Sequence, residues 1–150
     1  MASAMINDPR RKRVAAFAIA IARGMGISVE EIRLLARIAF CHDLPPQRLP
    51  FAGAVEILSA LQESYDGTGH PNRLHGDQIP LRTYIVKVAV ALETGMIDWR
   101  IHPSLSLSKA KRQIKAQADK QFHPAVVSAF LQIADATWIG LLRSVDRHRF

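Results

Sequence analysis

Cysteine occurs once in the 150 residues, at Cys41, so no intrachain disulfide can form and a reducing compartment fits. Cys41 precedes His42 on an apolar helix, which reads as a buried, inert thiol. Long hydrophobic runs are missing as well. Arg10–Arg13 followed by Val14–Ala22 has the outline of a signal peptide, yet Arg23 ends the apolar run too early for a membrane span. We therefore expect a cytoplasmic protein with no membrane span. The strict apolar–polar alternation of strands is absent, as are internal repeats and low-complexity linkers, which excludes a β architecture. Acidic residues are few: 13 stand against 20 basic ones, for a net charge of +7. That excess lies at the two ends. Residues 1–13 carry four basic groups against Asp8, and residues 99–150 carry nine against Asp119, Asp135 and Asp146. The middle has seven basic and nine acidic residues, so the basic ends permit an acidic partner without requiring one.

What is present is helical patterning. With 49% hydrophobic residues the chain is long enough for a core, and we expect a single domain over 1–150, its basic N-terminal end beginning with a tail of about residues 1–8. Asp8-Pro9 predicts a helix start, and Val14, Phe17, Ile21 and Met25 follow at helical spacing until Gly24 and Gly26 stop the run. Ser28 with Glu31 predicts a capping box, ahead of the stripe Ile32, Leu35, Ile38 and Ala39, which Pro45-Pro46 ends just after His42-Asp43. A third helix is expected from Gly53 to Glu63, with Val55, Leu58 and Leu61 inward, and a fourth from Pro80 to about Thr94. Residues 96–104 read as irregular. Ser106 or Ser108 should cap a basic helix to about Gln121. Pro124 should open one long last helix bearing Val127, Phe130, Leu131, Ala134, Trp138, Leu141 and Val145. The expectation is an all-α, single-domain bundle of about six helices.

Between the third and fourth helices lies Tyr65-Asp66-Gly67-Thr68-Gly69-His70-Pro71, followed by Ile79-Pro80-Leu81. Two glycines and a proline so close together forbid a helix. This order resembles the signature loop of the HD-GYP domains, which runs His-His-Glu-x-x-Asp-Gly-x-Gly-Tyr-Pro and then Ile-Pro. His42-Asp43 resembles that family's eponymous His-Asp, and Phe122-His123-Pro124 stands where the family has Phe-Asp-Pro. The resemblance covers about Arg10 to Leu131 and implies an HD-domain-like fold. It also implies a phosphodiesterase that uses two or three metal ions to lower the pKa of a bridging water and neutralise the phosphate.

Measured against that resemblance, ligands are missing. The family opens with His-x-x-Arg-Val, and the matching stretch is Arg10-Arg11-Lys12-Arg13-Val14, which puts a guanidinium where an imidazole is expected. The segment between His-Asp and the loop is shortened and holds no histidine. The paired histidines before the loop match Leu61 and Gln62, although Glu63 is kept, and the aspartate of the family's Val-Ala-Asp matches Val90. His42 and Asp43 remain as a vestigial metal pair, and no residue is assigned a catalytic role. The family's Asp-Arg-Pro-Tyr-Arg, which grips the cyclic dinucleotide, matches Asp98-Trp99-Arg100-Ile101-His102. A nucleotide contact would fall to Trp99, Arg100 and His102.

Retained fold with lost ligands points first to a catalytically inactive HD-GYP-like domain, a regulatory or protein-interaction module in bacterial cyclic-dinucleotide signalling with no cofactor expected. In the family the Gly-Tyr-Pro loop contacts diguanylate cyclase (GGDEF) domains. The resemblance thus implies a partner-binding loop at Asp66, Gly67, Gly69, His70 and Pro71, and the shortening of the chain makes self-association plausible. The alternative is an active cyclic di-GMP phosphodiesterase, using iron or manganese, with a reduced site around His42, Asp43, Glu63 and Asp66. A third reading is a basic nucleic-acid-binding module built on Arg10–Arg13 with Lys109, Lys111, Arg112 and Lys115.

Overall fold

In the computed structural model, described over residues 7–147, Asp8 caps the first helix through its carboxylate, which accepts from Arg10 N at 2.9 Å. Proline at the first helical position follows, since its missing N–H is one the helix could not use. Seven α-helices are formed among the described residues: α1 Pro9–Gly24, α2 Val29–Phe40, α3 Ala52–Ser59, α4 Leu81–Gly95, α5 Pro103–Ala116, α6 Pro124–Gln132 and α7 Asp135–Arg147. Short 3-10 turns at Pro46–Arg48 and Gly76–Gln78 sit in the two long connections. The fold is all-α, with only an isolated bridge between Ala118 and Phe122 outside helices. The residues of the expected N-terminal tail up to residue 6 lie outside the described part.

The core is organised on α1, which packs against α2, α4, α6 and α7 through the buried stripe Val14, Phe17, Ala18, Ile21 and Ala22. The second central helix, α4, buries Tyr84, Ile85, Val86, Val88, Ala89 and Leu92, and is packed against α3, α5 and α6 as well as α1. Residues on several faces of α4 are buried because it is covered on several sides. Ser28 caps α2 as its sequence suggests, accepting from Glu31 N at 3.3 Å, while the Glu31 carboxylate reaches Arg82 Nη2 at 2.8 Å.

Three expectations are corrected. The third helix ends at Ser59, and its inward side is Ala54, Ile57 and Leu58, leaving Val55 exposed. The helix is only two turns long, so its inward side is set by docking onto α2 and α4 rather than by the wider stripe. The fifth helix starts earlier, at Pro103, and ends at Ala116, because the chain turns at residues 117–122 to meet the signature loop. The last helix is two. Ile133 takes extended backbone (φ −77°, ψ 132°), and α6 and α7 meet at an 84° bend. The bend brings Phe130 and Trp138 together at 5.3 Å between ring centroids, and Trp138 also meets Phe17 edge-on at 5.6 Å. No single helix among the described residues is long and apolar enough to cross a membrane.

Candidate functional site

His42 and Asp43 stand where α2 stops. Cys41 is the C-cap, and the His42 ring Nδ1 lies 2.9 Å from Ala39 O. A carbonyl only accepts, so Nδ1 donates in this contact. Asp43 turns the other way. Its Oδ1 lies 2.9 Å from Arg11 Nε on α1. Arg11 is only 8% exposed, whereas Arg10, the residue singled out by sequence, is exposed and faces Asp8 at 3.6 Å. Sequence reasoning missed Arg11, although the signal existed. It lies three residues before Val14 and seven before Ala18, on the buried stripe of α1. Between Arg11, Arg37 and Asp43, the thiol of Cys41 is pushed up, chiefly by burial, which keeps it protonated and inert.

The signature loop is a separate construction. Glu63 is fully buried, and its two oxygens accept from Asn72 N at 2.7 Å and Leu74 N at 3.0 Å. Gly69 passes so close to the strand of chain before it that a Cβ would lie 2.5 Å from Gln62 O and Ser64 N, so only glycine fits. Gly67 takes φ +82°, a conformation that favours glycine. Asp66 Oδ1 accepts from Thr68 N at 3.1 Å and Thr68 Oγ1 at 2.6 Å, and these bonds hold its carboxyl below the usual range. The loop is tied to the turn after α5 by Asp66 N to Lys120 O at 2.9 Å, and to α4 by Lys87, whose Nζ donates to Glu63 O. Burial pushes the Lys87 ammonium down, with Glu63 and Asp66 pulling the other way. Behind the loop, Tyr65, Tyr84 and His123 form an aromatic cluster with centroids 5.3–6.0 Å apart. His123 caps α6, accepting from Ala125 N through Nδ1 at 3.1 Å. The tip left to solvent is His70-Pro71, joined by a cis peptide, with Asn72 and Arg73.

The third group lies between α4 and α5. Trp99 is 92% buried, Arg100 lies over its ring at 5.2 Å from the centroid, and Arg100 pairs with Asp146 on α7. His102 is the residue before α5. Trp99 and Arg100 also border a groove of about 330 Å³ with Arg10, Arg13 and Glu93. Arg13 pairs with Glu93 at 2.6 Å, so three arginines of the N-terminal basic run face carboxylates, as does Lys111 of α5, which pairs with Asp135.

A pair of metal ions needs several imidazoles and carboxylates converging from different helices. Among the described residues no three His, Cys, Asp or Glu side chains come together in that way. Asp43 faces a guanidinium, Glu63 is occupied by backbone amides, and Asp66 is engaged by Thr68. The four residues of the reduced site are thus engaged separately, and this donor set does not fit the metal centre of an HD phosphodiesterase.

Comparisons with known proteins agree with the fold. The HD domain family matches residues 26–126, from just after α1 into the start of α6. A cyclic di-GMP phosphodiesterase of Vibrio cholerae is 37% identical over 83 residues, 55% of this chain and 17% of that protein. A 3'3'-cGAMP-specific phosphodiesterase 2 of the same organism is 29% identical over 79 residues, 53% of this chain and 15% of that protein. The cyclic di-GMP phosphodiesterase response regulator RpfG of Xanthomonas campestris is 25% identical over 148 aligned positions, 75% of this chain and 39% of that protein. Since 75% of 150 residues is about 112, some 36 of those positions face a gap in this chain, which accords with a shortened domain. The matched parts span 15% to 39% of these relatives' lengths. The family match, the His-Asp pair at the end of α2 and the glycine-bearing loop after α3 agree, and the chain belongs to the HD domain family as an HD-GYP-like member.

Proposed function

We propose that this domain does not hydrolyse cyclic dinucleotides and serves as a regulatory or protein-interaction module in cyclic-dinucleotide signalling. The observation that carries this reading is the separate engagement of Asp43, Glu63 and Asp66, which leaves no cluster of metal-binding side chains among the described residues. In support of a binding role, Glu63, Gly69 and Lys87 fix the loop from behind, and His70 and Pro71 at its tip are exposed. A partner of the GGDEF type would meet Asp66, Gly67, His70 and Pro71, while Gly69, expected among the contacts, is buried against residues 62–64 and shapes the loop from behind. Binding of a diguanylate cyclase GGDEF domain, read by calorimetry, should fall at least tenfold in His70→Ala with the melting temperature unchanged. Incubation of the purified protein with cyclic di-GMP and manganese should give no product; hydrolysis that His42→Ala abolishes overturns the reading. Self-association belongs to the same proposal, since Ile97, Ile101 and Leu105 are 80%, 73% and 62% exposed on one short stretch.

One observation favours the second reading, an active phosphodiesterase with iron or manganese. His42 donates Nδ1–H to a carbonyl, the arrangement that leaves Nε2 ready for a metal, and the relatives are named as phosphodiesterases. It predicts that manganese raises the melting temperature and that His42→Ala cancels the rise. A nucleotide contact at Trp99 and Arg100 would be an interaction of the groove beside Arg10 and Arg13, whereas His102 lines a separate groove with Asp98 and Lys109.

A further inference from the structure

Arg11 puts a permanent positive charge on the inward stripe of α1, beside Val14, Ala18 and Ile21. Its guanidinium keeps its proton at any ordinary pH, and burial of such a group is unfavourable without compensation. Hydrogen bonding does not supply it: Nε and Nη1 are buried with no hydrogen-bond partner. The compensation is electrostatic. Asp43 Oδ1 lies 2.9 Å from Nε, with the N–H not aimed along the line between them, and Asp8 Oδ2 lies at 4.0 Å. Arg10 and Arg37, which also border this end of the bundle, have other neighbours: Arg10 faces Asp8, and Arg37 lies over the Phe51 ring at 5.0 Å.

We propose that Arg11 is a built-in counter-cation for Asp43, the carboxylate of the His-Asp motif. The positive charge that a metal ion supplies at such a pair is carried here by a side chain of α1. Asp43 is thereby neutralised, closed to an external cation, and turned into the tie that holds the end of α2 against α1. Removing Asp43 would strand a buried guanidinium. The inference deepens the non-hydrolytic reading and rests on it.

The test is a double-mutant cycle on the full chain, read by thermal melting with and without manganese chloride. Arg11→Met and Asp43→Asn should each lower the melting temperature by about 5 °C, allowing for the partial exposure of Asp43. The double variant should recover at least half of the larger loss, because both charges leave together. Arg11→Lys guards against a variant that fails to fold; it keeps the charge and should lose less than Arg11→Met. Manganese or a chelator should leave the wild-type melting temperature within 1 °C, as an order-of-magnitude bound on a site that takes no ion. Strictly additive losses overturn the proposal, and so does a manganese-induced rise in the wild type that Asp43→Asn removes. Hydrolysis of cyclic di-GMP is scored separately: additive losses without hydrolysis leave the non-hydrolytic reading standing, and hydrolysis defeats that reading whatever the cycle shows.

Discussion

Both oxygens of Glu63 are taken by backbone amides in a place solvent does not reach. Charge-assisted bonds of this kind contribute about 1.5–3 kcal/mol each, and a lost acceptor also leaves two buried N–H groups unpaired. Glu63→Ala should therefore destabilise the domain by about 3 kcal/mol in urea unfolding, with Glu63→Gln losing less, and the amides of Asn72 and Leu74 should lose protection in hydrogen exchange. At Gly69 even a methyl group collides with the backbone of residues 62–64, so Gly69→Ala should shift the whole loop's amide spectrum, not one signal. Asp66 gives a pH signature. Its folded pKa lies below the ordinary 3.8, so its contribution to stability is present above that value and lost as the pH falls through the folded one. Thr68→Val removes the hydroxyl whose hydrogen bond does most to lower the Asp66 pKa, and carboxyl titration by NMR should show Asp66 moving up towards 3.8.

Helices are where local pattern and tertiary demand meet. Asp8, Ser28 and His123 cap helices because an oxygen or ring nitrogen beside the first turn meets free N–H groups, a relation that needs no distant neighbour. The bend between α6 and α7 is different. Neither proline nor glycine marks Ile133-Ala134, and the apolar spacing runs on across it. The break is stabilised by Trp138, which reaches Phe17 and Phe130 only if the chain turns. Trp138→Ala should cost about 3–5 kcal/mol and loosen α7. Trp138→Phe should cost less than half of that, because the indole N–H it removes has no partner. Denaturant unfolding of the two variants reads the difference directly.

At the scale of the whole molecule, charge is arranged differently from its order along the chain. The N-terminal basic run suggests a free cationic patch, yet Arg11 and Arg13 are folded onto Asp43 and Glu93, so the surface is less basic than the composition implies. The surface also exposes apolar side chains, Ile97 and Ile101 in the α4–α5 connection and Leu105 in the first turn of α5. Light scattering should show mass rising with concentration, and Ile97→Glu with Ile101→Glu should return the chain to a monomer without lowering its melting temperature.

Much of this protein was determined by sequence alone. The stripes of α1 and α2, the caps at Asp8 and Ser28 and the loop with its two glycines are legible because each depends on residues within a turn or two of one another, whereas the cap expected at Ser106 or Ser108 falls inside a helix that starts at Pro103. The residues standing at the family's imidazole and carboxylate positions, Arg10, Leu61, Gln62 and Val90, were equally legible. Tertiary structure alone decided that Glu63 holds the loop, that the last helix breaks, and that Arg11 rather than Arg10 answers Asp43. Each of these depends on a contact between chain segments that periodicity does not bring together. The partner of a buried charge is chosen by packing, and packing is settled only when the whole chain has folded.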